Sequence, residues 1–228
     1  MKITSLNIRQ GGGKRIDALI EYLDPSSSDV FLIQEFRANS GGARLKEHLE
    51  HHGFQCHSPD GIDSNQNTVL IAARALEPVQ LGSLPNQWSI AAARIEGITF
   101  FNVYFPQKQG KKIVYEWFLE NAGGFKNTVL VGDFNTGRND IDLQGDAKFF
   151  CETDFKKLSS EVLVDVYRHL KGDRREYSWY SSSGNGFRID HVLCTHDLAS
   201  RMSDVNYHHV TRDTITDHSS LQCEISWE

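Results

Sequence analysis

The sequence has no apolar run approaching the ~20 residues of a membrane span, which excludes a protein embedded by hydrophobic helices. Its first residues, Met1-Lys2-Ile3-Thr4-Ser5, lack a secretory apolar stretch and read as a first strand. The four cysteines, Cys56, Cys151, Cys194 and Cys223, are widely spaced without a Cys-x-x-Cys pair. Reduced core thiols in a cytoplasmic protein fit this better than disulfides or zinc ligands. Basic excess is missing too: 24 Lys plus Arg stand against 30 Asp plus Glu, a net charge of −6. That argues against a protein coating nucleic acid non-specifically, though a basic rim around an acidic pocket remains compatible. No linker, repeat or low-complexity tract breaks the 228 residues, so one domain over 1–228 is expected. What is present, 39% hydrophobic and 24% charged residues, is ordinary soluble globular composition.

Periodicity supplies the elements. Lys2 to Ile8 alternates, Val30 to Ile33 reads as a buried strand, and Thr68 to Ala73 as another. Ser89 to Ile95 and Thr99 to Tyr104 pair across Glu96-Gly97. Later strands are expected at Thr128 to Val131, Tyr177 to Ser181, Phe187 to Cys194, Asp204 to Val210 and Leu221 to Ile225. Helical spacing appears over Lys14 to Leu23, around Leu45, Leu49 and His52, over Ile113 to Phe118, and around Ala147 to Leu158. Such a mixture predicts an α/β protein: a four-layer α/β sandwich, two packed mixed β-sheets flanked by helices.

The strands end in polar residues of one kind. The central strand runs Thr128-Val129-Leu130-Val131-Gly132 and then reaches Asp133-Phe134-Asn135, where alternation points Asp133 and Asn135 the same way. Such a pair can hold a divalent cation or position a water against a phosphate; a strand-end Asx turn is the bland alternative. Asn7, Glu35, Tyr104, Asp190 and Asp217-His218 end other strands. Asp190 follows an apolar run interrupted by Arg188, where charge is costly unless paired or bound to metal. An Asp beside a His can orient or charge the imidazole. Arg188 reads either as a substrate contact or as a structural ion-pair partner. Trp179 and Phe187 could pack against an extruded sugar or base, or belong to the core. Arg9, Lys14, Arg37, Lys108, Lys111, Lys112, Arg138, Arg174 and Arg175 follow strand ends and could form a basic face, with Lys111 and Lys112 read as solvated helix ends.

Together these segments resemble the exonuclease–endonuclease–phosphatase superfamily, specifically its exonuclease III/AP endonuclease branch. Asp29-Val30-Phe31-Leu32-Ile33-Gln34-Glu35-Phe36-Arg37 is similar to the branch's first block, and Gly132-Asp133-Phe134-Asn135 with Asn139-Asp140-Ile141-Asp142-Leu143 to the block around its catalytic Asp. Asp165-Val166-Tyr167-Arg168-His169, Tyr177-Ser178-Trp179-Tyr180, Asn185-Gly186-Phe187-Arg188-Ile189-Asp190 and Asp217-His218 resemble later blocks. Tyr104-Phe105-Pro106 matches a Tyr-x-Pro element, followed by Gln107 where the branch usually carries Asn. The resemblance implies hydrolysis of DNA phosphodiesters with Mg²⁺, Mn²⁺ substituting. It implies catalytic roles for Asp133, Asn135, His218, Tyr104 and Asp190, and a metal held by Glu35, Asn7 and Asp217. Substrate contacts are expected from Arg188, Trp179, Phe187 and Gln107. The implied partner is duplex DNA, damaged or at a 3′ end, met by a monomer without membrane or obligate protein partner. A phosphatase of small phosphoesters or lipid headgroups is the alternative, and a non-enzymatic scaffold a third class.

Overall fold

The computed structural model describes residues 1–226. Two six-stranded sheets stack face to face. The first contains β1 (Lys2–Asn7), β2 (Val30–Phe36), β3 (Gln55–His57), β4 (Thr68–Ala73), β13 (Met202–His208) and β14 (Ser220–Ile225), in the order β13-β14-β1-β2-β4-β3. The second contains β5 (Glu77–Pro78), β6 (Ile90–Ile95), β7 (Ile98–Tyr104), β8 (Thr128–Asp133), β9 (Val164–Asp165) and β12 (Asp190–Cys194), in the order β5-β6-β7-β8-β12-β9. Each sheet is mixed, with β1 and β2 parallel in one and β7 and β8 parallel in the other. A two-stranded ribbon of β10 (Trp179–Tyr180) and β11 (Gly186–Phe187) stands apart.

Alternation decides which side chains go where. Residues such as Ile3, Leu32, Ile71, Phe100, Val131 and Val192 fill the layer between the sheets. Their chain neighbours Leu6, Phe31, Ile33 and Leu70 face outward under α1 (Ile16–Tyr22) and α2 (Ser40–His51). On the other side Phe101, Val103, Leu130 and Phe134 face α3 (Lys112–Asn121), α4 (Glu152–Lys156) and the π-turn Lys157–Val162. Three apolar layers between four layers of backbone make the sandwich that the sequence predicts.

Three expectations change. The strand expected over Phe187 to Cys194 is broken, with β11 ending at Phe187 and β12 beginning at Asp190. Arg188 occupies the break because its guanidinium turns into an ion-pair cluster that a continuous pleat would not reach. The helix around Ala147 starts only at Glu152 and continues through the π-turn to Val162. The strand from Asp204 begins earlier, at Met202, and ends at His208, before a short helix Val210–Thr214. All four cysteines are free, but only Cys194 and Cys223 are buried; Cys56 and Cys151 are half-buried. Among the described residues no helix is long and apolar enough to cross a membrane.

Candidate active site

At one end of the sandwich the inter-sheet layer turns polar without losing its two-residue phase. Along β1 the inward series is Ile3, Ser5, Asn7; along β2, Val30, Leu32, Gln34. Along β7 it is Phe100, Asn102, Tyr104; along β8, Val129, Val131, Asp133; and β12 enters from the same end at Asp190. Gln34 donates to Ser5 Oγ at 3.0 Å and to Asn102 Oδ1 at 2.7 Å. Asn102 in turn donates to the carbonyls of Ile33 and Leu70 at 3.0 and 2.9 Å. This buried amide layer separates the hydrocarbon core from a pocket of about 290 Å³.

Glu35, Tyr104, Gln107, Asp133, Asn135, Trp179, Asp217 and His218 line that pocket, with Arg9, Gln10 and Ile189. Parallel register sets Tyr104 beside Asp133, and antiparallel register sets Asp190 opposite it. Close packing at that point requires glycine at 132. A Cβ there would lie 2.1 Å from the Val103 carbonyl oxygen, and the backbone is at φ +142°. Glu35 reaches the pocket by a different device. The β2–β4 pairing slips between Gln34 and Phe36, and Glu35 is the bulged residue at φ +53°. Plain alternation would send its carboxylate to the outer face with Ile33. Asn135 is also left-handed, at φ +50°, so non-glycine strain concentrates at the pocket.

The hydrogen bonds join these groups into one network. Asn7 donates from Nδ2 to Glu35 Oε1 at 3.1 Å and to Asp133 Oδ2 at 3.0 Å, while its Oδ1 accepts from the Arg9 amide. Glu35 Oε2 accepts from the Gln10 amide at 2.8 Å and from Asn67 Nδ2 at 2.9 Å. Asp133 Oδ1 accepts the Asn135 amide at 2.8 Å. His218 Nδ1 lies 2.9 Å from Asp190 Oδ2, and its Nε2 lies 4.0 Å from Asp133 Oδ2. Asp190 is fixed by Ser178 Oγ, which accepts its amide at 3.2 Å. The His218 segment is tied back by Thr216, whose hydroxyl donates to the Asn7 carbonyl at 2.9 Å.

Burial and charge set the protonation states. Burial first, then the neighbouring Asp190, pushes Asp133 up to about 7 against the pull of His218. Burial alone would depress His218, but the Asp190 carboxylate, by charge and hydrogen bond, and Asp133 raise it to about 10. Tyr104 is driven well above its ordinary value by burial and by the Glu35 and Asp133 charges, so it stays a hydroxyl donor. Asp133, Asp190 and His218 each offer a ligand atom, all within 4.8 Å of one another. The imidazole hydrogen bond engages Asp190, while the carboxylates of Glu35, Asp133 and Asp217 line the pocket.

Several expected residues lie elsewhere. Arg188 is a correction as a substrate contact: it is 0% exposed, with Nε 2.7 Å from Asp142 Oδ1 and an Nη 2.6 Å from Asp165 Oδ2. Its guanidinium also stacks over Tyr167 at 5.2 Å, leaving no face for a ligand. Phe187 stands behind Trp179, with ring centroids 5.7 Å apart, and packs on Phe149 rather than lining the pocket. Asn7 and Asp190 are buried behind the lining residues. Of the basic residues only Arg9 lines the pocket, 3.6 Å from Asp217; Arg138 pairs with Asp140 beside another cavity. Lys111, expected to be solvated, is buried. Asn67, Ser178 and Thr216 carry no sequence signal of their own, since each acts through contacts made only on folding.

The model of the Endonuclease/Exonuclease/phosphatase family matches residues 4–218. Exodeoxyribonuclease III of Haemophilus influenzae is 24% identical over 254 residues, covering 90% of this chain and 91% of that protein. The DNA-(apurinic or apyrimidinic site) endonuclease of Dictyostelium discoideum is 21% identical over 240 residues, 91% of this chain and 66% of that protein. The solved structure of the 3′ phosphatase NExo from Neisseria, bound to a product DNA hairpin, superposes over all of both chains with a TM-score of 0.82 at 24% identity.

Proposed function

The chain belongs to the endonuclease/exonuclease/phosphatase family, and from that premise we propose that it is a divalent-metal-dependent phosphodiesterase acting on DNA, nicking at abasic sites or trimming 3′ ends. The observation that carries this reading is the convergence of Glu35, Tyr104, Asp133, Asn135 and His218 on one small pocket. The names of the relatives support DNA as the substrate.

The donor set fits a hard cation. Two carboxylates, Glu35 and Asp133, share a single amide nitrogen from Asn7, and Asp133 is pushed up because its anion is under-compensated. Glu35 and Asp217, with Asn7 behind them, would hold Mg²⁺, or Mn²⁺ in its place. Bound there, the ion would neutralise charge developing on the phosphoryl oxygens.

The chain's own groups supply the rest. Asp133, poised near 7, accepts a proton from the attacking water, and the Asn135 amide holds its carboxylate in place. His218 stays protonated through neutral pH and presents Nε2–H to a phosphoryl oxygen, while Asp190 fixes Nδ1–H. Tyr104 donates its hydroxyl proton to the phosphate or the leaving oxygen. Trp179 and Gln107 contact the nucleotide from the pocket wall. On this reading the protein works as a monomer in the cytoplasm.

A substrate panel tests it: abasic duplex, blunt duplex, 3′-phosphorylated duplex, single strand, p-nitrophenyl phosphate and inositol phosphates, each with Mg²⁺ and with chelator. Mg²⁺-dependent turnover of duplex DNA is expected. Turnover of the small phosphoesters alone would establish a phosphatase instead, and no turnover with Mg²⁺, or with Mn²⁺ in a repeat of the panel, would end the hydrolase reading.

A further inference from the structure

Lys111 closes the 3₁₀ turn Lys108–Lys111 that leads into α3, and the three lysines there look alike in sequence. Folding separates them. Lys108 and Lys112 are exposed, whereas Lys111 is 1% exposed and donates from Nζ to the main-chain carbonyl of Asn135. Among the described residues no carboxylate oxygen lies within 4.0 Å of that ammonium. A buried cation with a carbonyl partner and no counter-ion in contact is costly, and a methionine would fill the same space without the charge. Burial lowers Lys111 to about 8 while the Asp133 charge opposes the fall, so it is mostly protonated at neutral pH.

The carbonyl it grips belongs to a strained residue. Asn135 sits at φ +50°, a conformation that persists only where the surroundings over-determine it. Its amide donates to Asp133 Oδ1 at 2.8 Å and its carboxamide to the Phe105 carbonyl at 2.9 Å. The carboxamide also reaches Asp133 Oδ2 at 3.4 Å, and among the described residues the Lys111 bond is the one anchor on the carbonyl side. Phe134, between Asp133 and Asn135 in the chain, packs on Phe105 with ring centroids 5.0 Å apart, and Phe105 packs on Tyr115 at 4.9 Å.

We propose that Lys111 is a positioning residue: through the Asn135 carbonyl it locks the Asp133-Phe134-Asn135 turn so that the Asp133 carboxylate and Asn135 carboxamide meet the substrate in fixed register. The proposal deepens the phosphodiesterase reading and rests on it, but it also makes a claim about the backbone that needs no substrate.

Lys111→Met and Lys111→Ala, made in the full chain, test it by kinetics on abasic duplex with Mg²⁺ and by amide hydrogen exchange followed by NMR. In Lys111→Met the expected result is a kcat about 10- to 100-fold lower, KM within about twofold, and unchanged or higher Tm. The Asn135 amide should exchange at least about tenfold faster while β8 amides keep their protection. In Lys111→Ala, ethylammonium should restore kcat in a saturable way and ethanol should not. A folded Lys111→Met with wild-type kcat and Asn135 exchange overturns the proposal, as does a loss confined to KM. If the wild-type enzyme turns over no phosphoester, the functional reading fails by itself, and the exchange of the Asn135 amide still decides the positioning claim.

Discussion

Two buried charge clusters flank Ile189, and they are built on opposite principles. On one side Arg188 sits between Asp142 and Asp165, with Arg168 also bonded to Asp142, and both carboxylates fall below their ordinary range because the guanidinium outweighs burial. On the other side Asp133 and Asp190 face each other across β8 and β12 with His218 as their nearest cation, and Asp133 is raised to about 7. The first cluster is closed and electrically satisfied; the second opens onto a pocket and is short of positive charge. Nearly the same residue types give a sealed ion-pair cluster in one place and a pocket-facing one two positions away, because Arg188 bonds both carboxylates of its pair at close range while His218 bonds Asp190 and stands 4.0 Å from Asp133.

The sharpest way to break that contrast is Asp133→Asn. It should lower kcat on DNA by about 10³-fold or more, with Tm unchanged or raised, since a buried repulsion is removed. A variant that keeps activity, or loses it only by unfolding, would place Asp133 with the structural cluster. Arg188→Met should do the reverse. Asp165 loses its cation and Asp142 keeps Arg168 alone, which costs about 3–5 kcal/mol of stability in chemical denaturation, while the kcat of the fraction still folded at low temperature stays within a few-fold. Asp190→Asn, which removes the anion holding His218 protonated, should lower kcat by about 10²-fold and leave KM nearly unchanged.

The smallest effect is one of sign with pH. Asp142 and Asp165 have depressed folded values, so their stabilisation is present above the ordinary carboxylate value of about 4 and is lost as pH falls below it. Asp133 has a raised folded value, so the stability of its neutral form is present at low pH and lost as pH rises towards about 7. Denaturation midpoints should therefore show a loss below about pH 4 that Arg188→Met weakens and a decline between about pH 4 and 7 that Asp133→Asn removes, leaving the separate decline from about pH 6.5 upward that the raised His218 contributes. Curves unchanged by either variant would mean that the two clusters do not differ in this way.

Much of the site was legible before folding because strands have a rigid period. Once Val131 faces inward Asp133 must, and the same holds for Leu32 with Gln34 and Phe100 with Asn102. The polar strand endings and the four-layer sandwich therefore follow from alternation and from the count of elements. Glu35 breaks that rule: it faces the pocket only because a bulge turns it there. The sequence marked it as a polar strand ending, but its metal-holding role came from resemblance to a family pattern, and periodicity alone would have turned it outward.

What the sequence determined by itself is the set of apolar stripes and the polar residues that end them, since these depend on neighbours one or two positions away. What the tertiary structure decided is the fate of isolated charges. Arg188 became the centre of an ion-pair cluster only when Asp142, 46 residues earlier, and Asp165, 23 residues earlier, were folded against it. Lys111 was set apart from Lys108 and Lys112 only when Asn135, 24 residues later, presented its carbonyl. A side chain's charge is written in the chain, but whether water, a carboxylate or a carbonyl answers it depends on groups brought close by folding, and electrostatic energy is fixed by that distance and by the exclusion of water.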